Sequence, residues 1–356
     1  MAAKSKTKTV AVDINPATRA VRTGTEVYTR EVCARLSGAA PELLWRFYAS
    51  RPRGGLGVDV TVVPLQRLWS QVRLPLALAR AWPDLLFVPA HALPFAWPGK
   101  ALTVVHDLAF ERHPDAYASG ERAYLKATTR WAAARCPLLI AVSESTKADL
   151  VELYDVKADR VRVVPLGVTG PTADPAPAGR LTELGLSGPF VLQVGRVEAR
   201  KNQLAALAAV ERLDGVTLAI AGPERDPAIA ARLRASNRCR VLGPVDQATL
   251  ELLYRHAGAV IVPSLYEGFG LPVLEAMSRG KVVVAAKASS LPEVGGEAAL
   301  YFHEAAEPEQ LAGVIEAALH DRSLRTRITR AARARAAKFT WERTAAGVAA
   351  VIRELV

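Results

Sequence analysis

The sequence predicts an α/β protein of two successive Rossmann-like doubly wound domains. Three observations carry this prediction. Short runs rich in Val, Leu and Ile alternate with segments of helical period, as buried parallel strands alternate with their crossover helices. The alternation starts afresh past the middle of the chain, and the stretch GVTGPTADPAPAG at 167–179, between the halves, can continue neither a helix nor a strand. The 356 residues, 50% hydrophobic and 23% charged, suffice for two cores of roughly 150 to 180 residues each. The expected boundaries are an N-terminal domain over 1–168, a C-terminal domain over 169–339, and a C-terminal helix over 340–356 that can fold back on the N-terminal domain or stay on the second.

In the first half, strands are expected near 9–14 (TVAVDI), 84–90 (DLLFVPA), 101–106 (ALTVVH), 138–143 (LLIAVS) and 161–166 (VRVVPL). Helical period over 25–37, 119–135 and 145–155 separates them, so the order is strand, helix, strand throughout. In the second half, strands near 190–195, 216–221, 239–242, 259–263 and 281–286 alternate with helices near 202–213, 226–236, 246–257 and 272–279. After 306 only helical periodicity remains.

No apolar run reaches the roughly 18 residues that span a bilayer, and the basic start MAAKSKTKTV leads straight into a strand, so neither a membrane helix nor a signal peptide is expected. Cys33, Cys136 and Cys239 lie far apart and form no metal-binding spacing; a reducing cytoplasm without disulfides fits them. The net charge of +11 is compatible with nucleic acid, an anionic membrane or plain arginine content. Its densest part, RSLRTRITRAARARAAK at 322–338, has helical spacing without interleaved aromatics, which favours a solvated face over specific nucleic-acid binding.

The most informative segment runs from Glu267 through Gly268, Phe269, Gly270, Leu271 and Pro272 to Glu275, between a strand and a helix. Glycines let backbone approach a ligand closely, and Pro272 is expected at the first helical position, where its absent N–H would have had no intrahelical partner. The amides of Gly270, Leu271, Val273 and Leu274 are then expected to face an anion such as a pyrophosphate, which a helix N-terminus attracts. Glu275, placed in the first turn, is expected to accept vicinal ribose hydroxyls, and Glu267 those of a sugar. The bland alternative is a turn whose glutamates favour the helix dipole. In the second segment, FVLQVGRVEARKN at 190–202, a strand ends in Gly195 and Arg196, and Lys201 stands where the next helix begins. Cations at the carboxyl end of a parallel strand lie where open α/β sheets bind ligands. His106 closes the strand VVH beside Asp107; a histidine there is either a satisfied structural residue or a catalytic one.

These residues resemble the retaining group 1 glycosyltransferases of GT-B architecture, which use nucleotide-sugar donors. The resemblance rests on Glu267 and Glu275 eight residues apart, the GR and KN elements at 195–202, VVHDL at 104–108, AVSESTKADL at 141–150, VRVVPLGV at 161–168 and LPEVGG at 291–296. It implies two Rossmann-like domains facing each other across a deep cleft, the acceptor on the N-terminal side and the donor on the C-terminal side. It assigns the donor diphosphate to Arg196 and Lys201, the ribose to Glu275, and the transferred sugar to Glu267 with Gly268, Phe269, Gly270 and Leu271. Val245 falls where such enzymes contact the base, and His106 where a histidine faces the sugar; Asp107 is expected to orient its loop. One departure is visible: the family's usual Gly-Gly pair is replaced by Arg22-Thr23-Gly24, so only Gly24 remains to open the helix toward the donor. Ser143 is a weaker candidate for the cleft wall, and as a helix cap it also has a fully structural explanation.

The combination of VVHDL, EGFGLP and SLPEVGG looks most like the mannosyltransferase-like branch, which puts GDP-mannose first and UDP-sugars second. The acceptor is expected to be a growing polysaccharide or lipid-linked saccharide. No Asp-x-Asp pair occurs, so no metal site and no cofactor beyond the nucleotide-sugar co-substrate is expected. The stretch RLWSQVRLPLALARAW at 67–82 reads as an amphipathic membrane helix or, interrupted by Pro75, as a segment of the acceptor side; peripheral contact with an anionic membrane is one outcome. The rivals are an epimerase or phosphorylase on the same architecture, and a nucleotide-sugar-binding or basic nucleic-acid-binding protein without turnover.

Overall fold

In a computed structural model of the chain, residues 7–18, 23–52, 57–64, 69–90, 92–303 and 307–356 are described. Two compact units form, one from Met1–Gly167 with Thr340–Val356 and the other from Val168–Phe339.

The first unit runs β1 (Thr9–Asp13), α1 (Gly24–Ala39), β2 (Leu44–Ala49), β3 (Val60–Val62), α2 (Leu74–Ala81), β4 (Leu85–Val88), β5 (Ala101–Val105), α3 (Ala109–Arg112), α4 (Ser119–Arg135), β6 (Leu139–Ala141), α5 (Glu144–Tyr154) and β7 (Val161–Val163). Its parallel sheet has the order β3-β2-β1-β4-β5-β6-β7, with Val10 opposite both Trp45 and Leu85. The chain reverses its direction of travel across the sheet between β1 and β4. Val10, Ala11, Val12, Leu85, Leu86 and Phe87 are fully buried, because a parallel sheet is covered on both faces.

Two strands of this unit escape the apolar-run signal. β2, LWRFYA, is exposed or half-exposed over its first three residues and buried only at the end, and β3 is a three-residue edge. The 67–82 stretch becomes a π-helical turn at Trp69–Arg73 leading into α2, and residues 67 and 68 lie outside the described residues. Pro75 does not interrupt a helix here; it sits in the first turn of α2, where its missing N–H costs nothing.

The second unit runs α6 (Gly179–Glu183), β8 (Phe190–Val194), α7 (Gln203–Val210), β9 (Thr217–Ala221), α8 (Pro227–Arg234), β10 (Cys239–Gly243), α9 (Gln247–His256), β11 (Ala259–Val262), α10 (Leu271–Ser278), β12 (Val283–Ala286), α11 (Leu291–Gly295), β13 (Leu300–Phe302), α12 (Pro308–His320) and α13 (Arg322–Ala336). All its strand pairs are parallel, in the order β10-β9-β8-β11-β12-β13, so the reversal falls between β8 and β11. The Pro-rich stretch ahead of α6 is pinned to this unit, Val168 N–H donating to Phe339 C=O at 3.1 Å and Ala176 N–H to Ala248 C=O at 3.0 Å.

The last helix, α14 (Trp341–Arg353), belongs to the first unit and lies along α1. Its apolar face buries Trp341, Val348 and Ile352, and Gly347 lets it approach Val164. Its polar rim is tied by Arg35 to Glu342 at 2.8 Å, Arg353 to Glu42 at 2.6 Å and Arg162 to Glu354 at 2.7 Å. The three cysteines are buried free thiols.

Candidate active site

In an open parallel sheet, the loops leaving the carboxyl ends of two adjacent strands part company where the winding reverses, and the crevice between them takes ligands. In the second unit those loops are 195–202 after β8 and 263–270 after β11. They carry Arg196, Lys201 and Glu267, so the fold itself brings together residues 66 positions apart.

Lys201 Nζ donates directly to Glu267 Oε1, and Ser264 Oγ donates to the same oxygen at 2.7 Å. Arg200 approaches the other oxygen at 3.6 Å while binding Glu198 at 2.7 Å and Tyr266 C=O at 2.6 Å. Burial alone drives the Glu267 carboxyl upward, but Lys201 and Arg200 hold it below the ordinary value. Burial lowers the Lys201 ammonium, with Glu267 acting against it. The backbone of Glu267 is fixed as well. Ser289 Oγ accepts its N–H at 2.8 Å, and Ser289 and Ser290 hydroxyls donate to its C=O at 3.0 and 2.8 Å.

Arg196 is half-buried, and its guanidinium makes no hydrogen bond or ion pair among the described residues. Two non-glycine residues beside these cations and carboxylates adopt the left-handed region, Asn202 at φ 52° and Ser289 at φ 43°. Such positions cluster at functional sites because the surrounding structure must hold them there.

Gly268, Phe269 and Gly270 are buried, and Phe269 packs edge-on against Phe339 at 6.0 Å. Gly270, at φ 102°, turns the chain into α10, and a Cβ there would press on Leu291. Two expectations at this helix need correction. The N–H of Val273 is not available to an anion, because it closes a turn onto Gly270 C=O at 3.0 Å; Pro at the second position of α10 tightens that first turn. Glu275 is the fifth residue of α10 rather than part of its first turn, because the helix begins at Leu271, one residue ahead of the expected start at 272. There it accepts the Tyr254 hydroxyl at 2.8 Å, and burial pushes its carboxyl above the ordinary value. Arg279 stacks on the same Tyr254 ring at 4.8 Å. Val245 is half-buried in the loop after the edge strand β10, two strands from the reversal.

In the first unit His106 follows β5. Its Nε2 meets Pro89 C=O at 2.8 Å, so the neutral ring carries its proton on Nε2, and Tyr28 packs edge-on at 4.8 Å. Asp107 accepts the Ala109 N–H at 3.0 Å and so shapes the turn into α3. Ser143 is fully buried and caps α5 through Thr146 N–H at 3.0 Å. Gly24 begins α1 and Thr23 caps it, with the Glu26 carboxylate accepting Thr23 N–H at 2.9 Å; Arg22 lies outside the described residues.

Sequence reasoning missed Arg200, Ser264, Ser289, Ser290, Tyr254 and Gly222. Arg200 and Ser264 stand beside residues it named, which was the available signal. Gly222 gave none: it ends β9 at φ 153°, and any Cβ there would collide with the Gly195 carbonyl.

Two family models match the chain: glycosyl transferases group 1 over residues 183–335, and Glycosyltransferase Family 4 over residues 22–169. The O-antigen chain mannosyltransferase B of Escherichia coli is 30% identical over 261 residues, 68% of this chain and 67% of that protein. The D-inositol 3-phosphate glycosyltransferase of Frankia alni is 32% identical over 305 residues, 79% and 71% of the two chains. Among solved structures, Anabaena HepE in complex with UDP-glucose superposes with a TM-score of 0.77 at 18% identity, covering 97% of this chain and 99% of that one. Sucrose-phosphate synthase from Thermosynechococcus elongatus gives 0.77 at 20% identity, covering 98% and 99%. The chain belongs to the group 1 glycosyltransferases, with the GT-B fold.

Proposed function

We propose that this glycosyltransferase moves a hexose, with GDP-mannose as first-choice donor, to a hydroxyl of a saccharide or lipid-linked saccharide, retaining anomeric configuration and needing no divalent metal. The observation that carries the reading is the convergence of Arg196, Lys201 and Glu267 at the reversal of the second sheet. Expelling a nucleoside diphosphate creates negative charge, and donors already aimed at it lower the barrier by about 3 kcal/mol each. Arg196 offers a planar fork, and Lys201 keeps two of its three N–H donors beyond the one given to Glu267. Those cations supply the countercharge a metal would otherwise bring. Glu267, held ionised by its neighbours, accepts hydroxyls of the sugar, and Glu275 those of the ribose. His106 acts on the transferred sugar, as the sequence resemblance implies. The name of the E. coli relative supports mannose.

In the first unit Leu76 and Trp82 are 55% and 63% exposed, and Arg80 beside them is exposed too, which supports peripheral contact with an anionic membrane at its inner face.

The decisive experiment offers a panel of nucleotide sugars with and without chelator and scores binding and donor hydrolysis. GDP-mannose is expected to bind and turn over in chelator. Tighter binding of UDP than of GDP would make the donor a UDP-sugar. Binding without turnover on any donor or acceptor would make the chain a nucleotide-sugar-binding protein, and activity restored only by magnesium or manganese would show the diphosphate site to be wrong.

A further inference from the structure

We propose that Gln193 and Gln203 are positioning residues that aim the two cations of the site through their backbone carbonyls. This rests on the reading that Lys201 and Arg196 hold the donor diphosphate.

The carbonyl groups of the 196–202 loop can be accounted for one by one. Val197 C=O accepts the N–H groups of Arg225 and Asp226, Glu198 C=O that of Lys201, Ala199 C=O that of Asn202, Arg200 C=O that of Leu265, and Asn202 C=O that of Ala206. All of these partners are main chain. The two remaining carbonyls belong to Arg196 and Lys201, the two cations assigned to the diphosphate, and a buried glutamine serves each. Gln193 Nε2, from β8, donates to Lys201 C=O at 2.9 Å, and Gln203 Nε2, from the first position of α7, reaches back to Arg196 C=O at 2.7 Å. One strut thus runs forward from the strand and the other backward from the helix, and they clamp the two ends of the loop.

Stability alone does not account for these amides. Gln193 is 3% exposed and Gln203 1%, and the Oε1 atom of each is buried with no hydrogen-bond partner among the described residues. Each glutamine therefore satisfies one acceptor and orphans another, a near-neutral exchange for folding. What the exchange adds is direction. The Arg196 guanidinium has no side-chain partner among the described residues, so its origin is fixed by its own backbone. A backbone displaced by about 1 Å is enough to forfeit a well-placed contact to a ligand.

The test compares Gln193→Met and Gln203→Met, which keep side-chain length and remove the donor, with the unaltered protein by calorimetry. The probes are GDP and UDP, each against its own nucleoside. The expected result is about five- to tenfold weaker diphosphate binding for each variant, with nucleoside affinity unchanged. A merely structural role would lower the melting temperature and leave the ratio of diphosphate to nucleoside affinity where it was, overturning the proposal. Should the Met variants fail to fold, Gln193→Asn and Gln203→Asn pull the donor back while keeping the amide, and the same fall in the ratio is expected. Lys201→Ala separates the two levels of the argument. If it leaves the ratio unchanged, the diphosphate reading fails; if it lowers the ratio while the glutamine variants do not, only the struts fail.

Discussion

Glu267 and Glu275, eight positions apart, are held in opposite directions by their neighbours. Lys201 and Arg200 keep the first below its ordinary value, and burial lifts the second above it. Their pH signatures separate accordingly. The stabilisation Glu267 gives is full above the unfolded carboxylate value and fades only as pH falls through its lowered native one. Glu275 has a raised native value, so its protonated form is the one folding favours, and that contribution is lost as pH rises through it. If the ionised form of Glu275 accepts the ribose, nucleoside affinity should weaken on acidification at a pH above the ordinary carboxylate range. Glu275→Gln should bind more weakly throughout and lose that dependence; a titration with the same inflection in both proteins would refute the assignment.

Tyr28 offers a second test at the same scale. It is fully buried, its hydroxyl has no hydrogen-bond partner among the described residues, and burial raises it well above the ordinary phenol. Tyr28→Phe should therefore stabilise the first unit by about 1 kcal/mol, read as a higher melting temperature. A lower one would mean the hydroxyl is satisfied. At this scale the sequence showed Arg196, Lys201 and Glu267 but not what braces them. Glu267 and Lys201 stand in recognisable motifs, whereas Ser289 and Gln193 meet them only through folding.

At the scale of elements, the fully buried strands were legible because both faces must be apolar, while β2, β3 and β13 were not, having one end or both at the sheet's margin. The start of α10 was misjudged for a related reason. Its boundary is set by the left-handed Gly270, and a shift of one residue moved Glu275 out of the first turn. The junction of β8 and β9 is the least forgiving place in the second unit. At Gly222 two backbones touch, so Gly222→Ala sets a Cβ against a carbonyl that cannot rotate away, in a conformation L-residues rarely adopt. The expected cost is above about 2 kcal/mol, with loss of nucleoside diphosphate binding because Gly195 and Arg196 must move. A variant with native melting and native GDP affinity would show that the junction yields.

At the scale of the molecule, the twofold organisation was readable from the restart of the strand pattern, but the side taken by the last helix was not, since an amphipathic face names no partner. That helix makes a prediction about independence. Deleting 340–356 uncovers α1 and removes the ion pairs Arg35–Glu342, Arg162–Glu354 and Arg353–Glu42, so the first unit should melt earlier in a calorimetric scan while the second still binds GDP. A single transition shifted as a whole, with binding lost, would show the units to be thermodynamically one.

The same helix sets an order of events in the cell. Because α14 completes the sheet unit that is made first, yet follows the whole of Val168–Phe339 in the chain, the ribosome must deliver the second unit before the first can close. At about 5–20 residues per second, the face of α1 waits on the order of ten seconds or more for its cover. Through that interval the face of α1 that α14 covers stays bare in the nascent first unit, while the later-made unit is already free to fold.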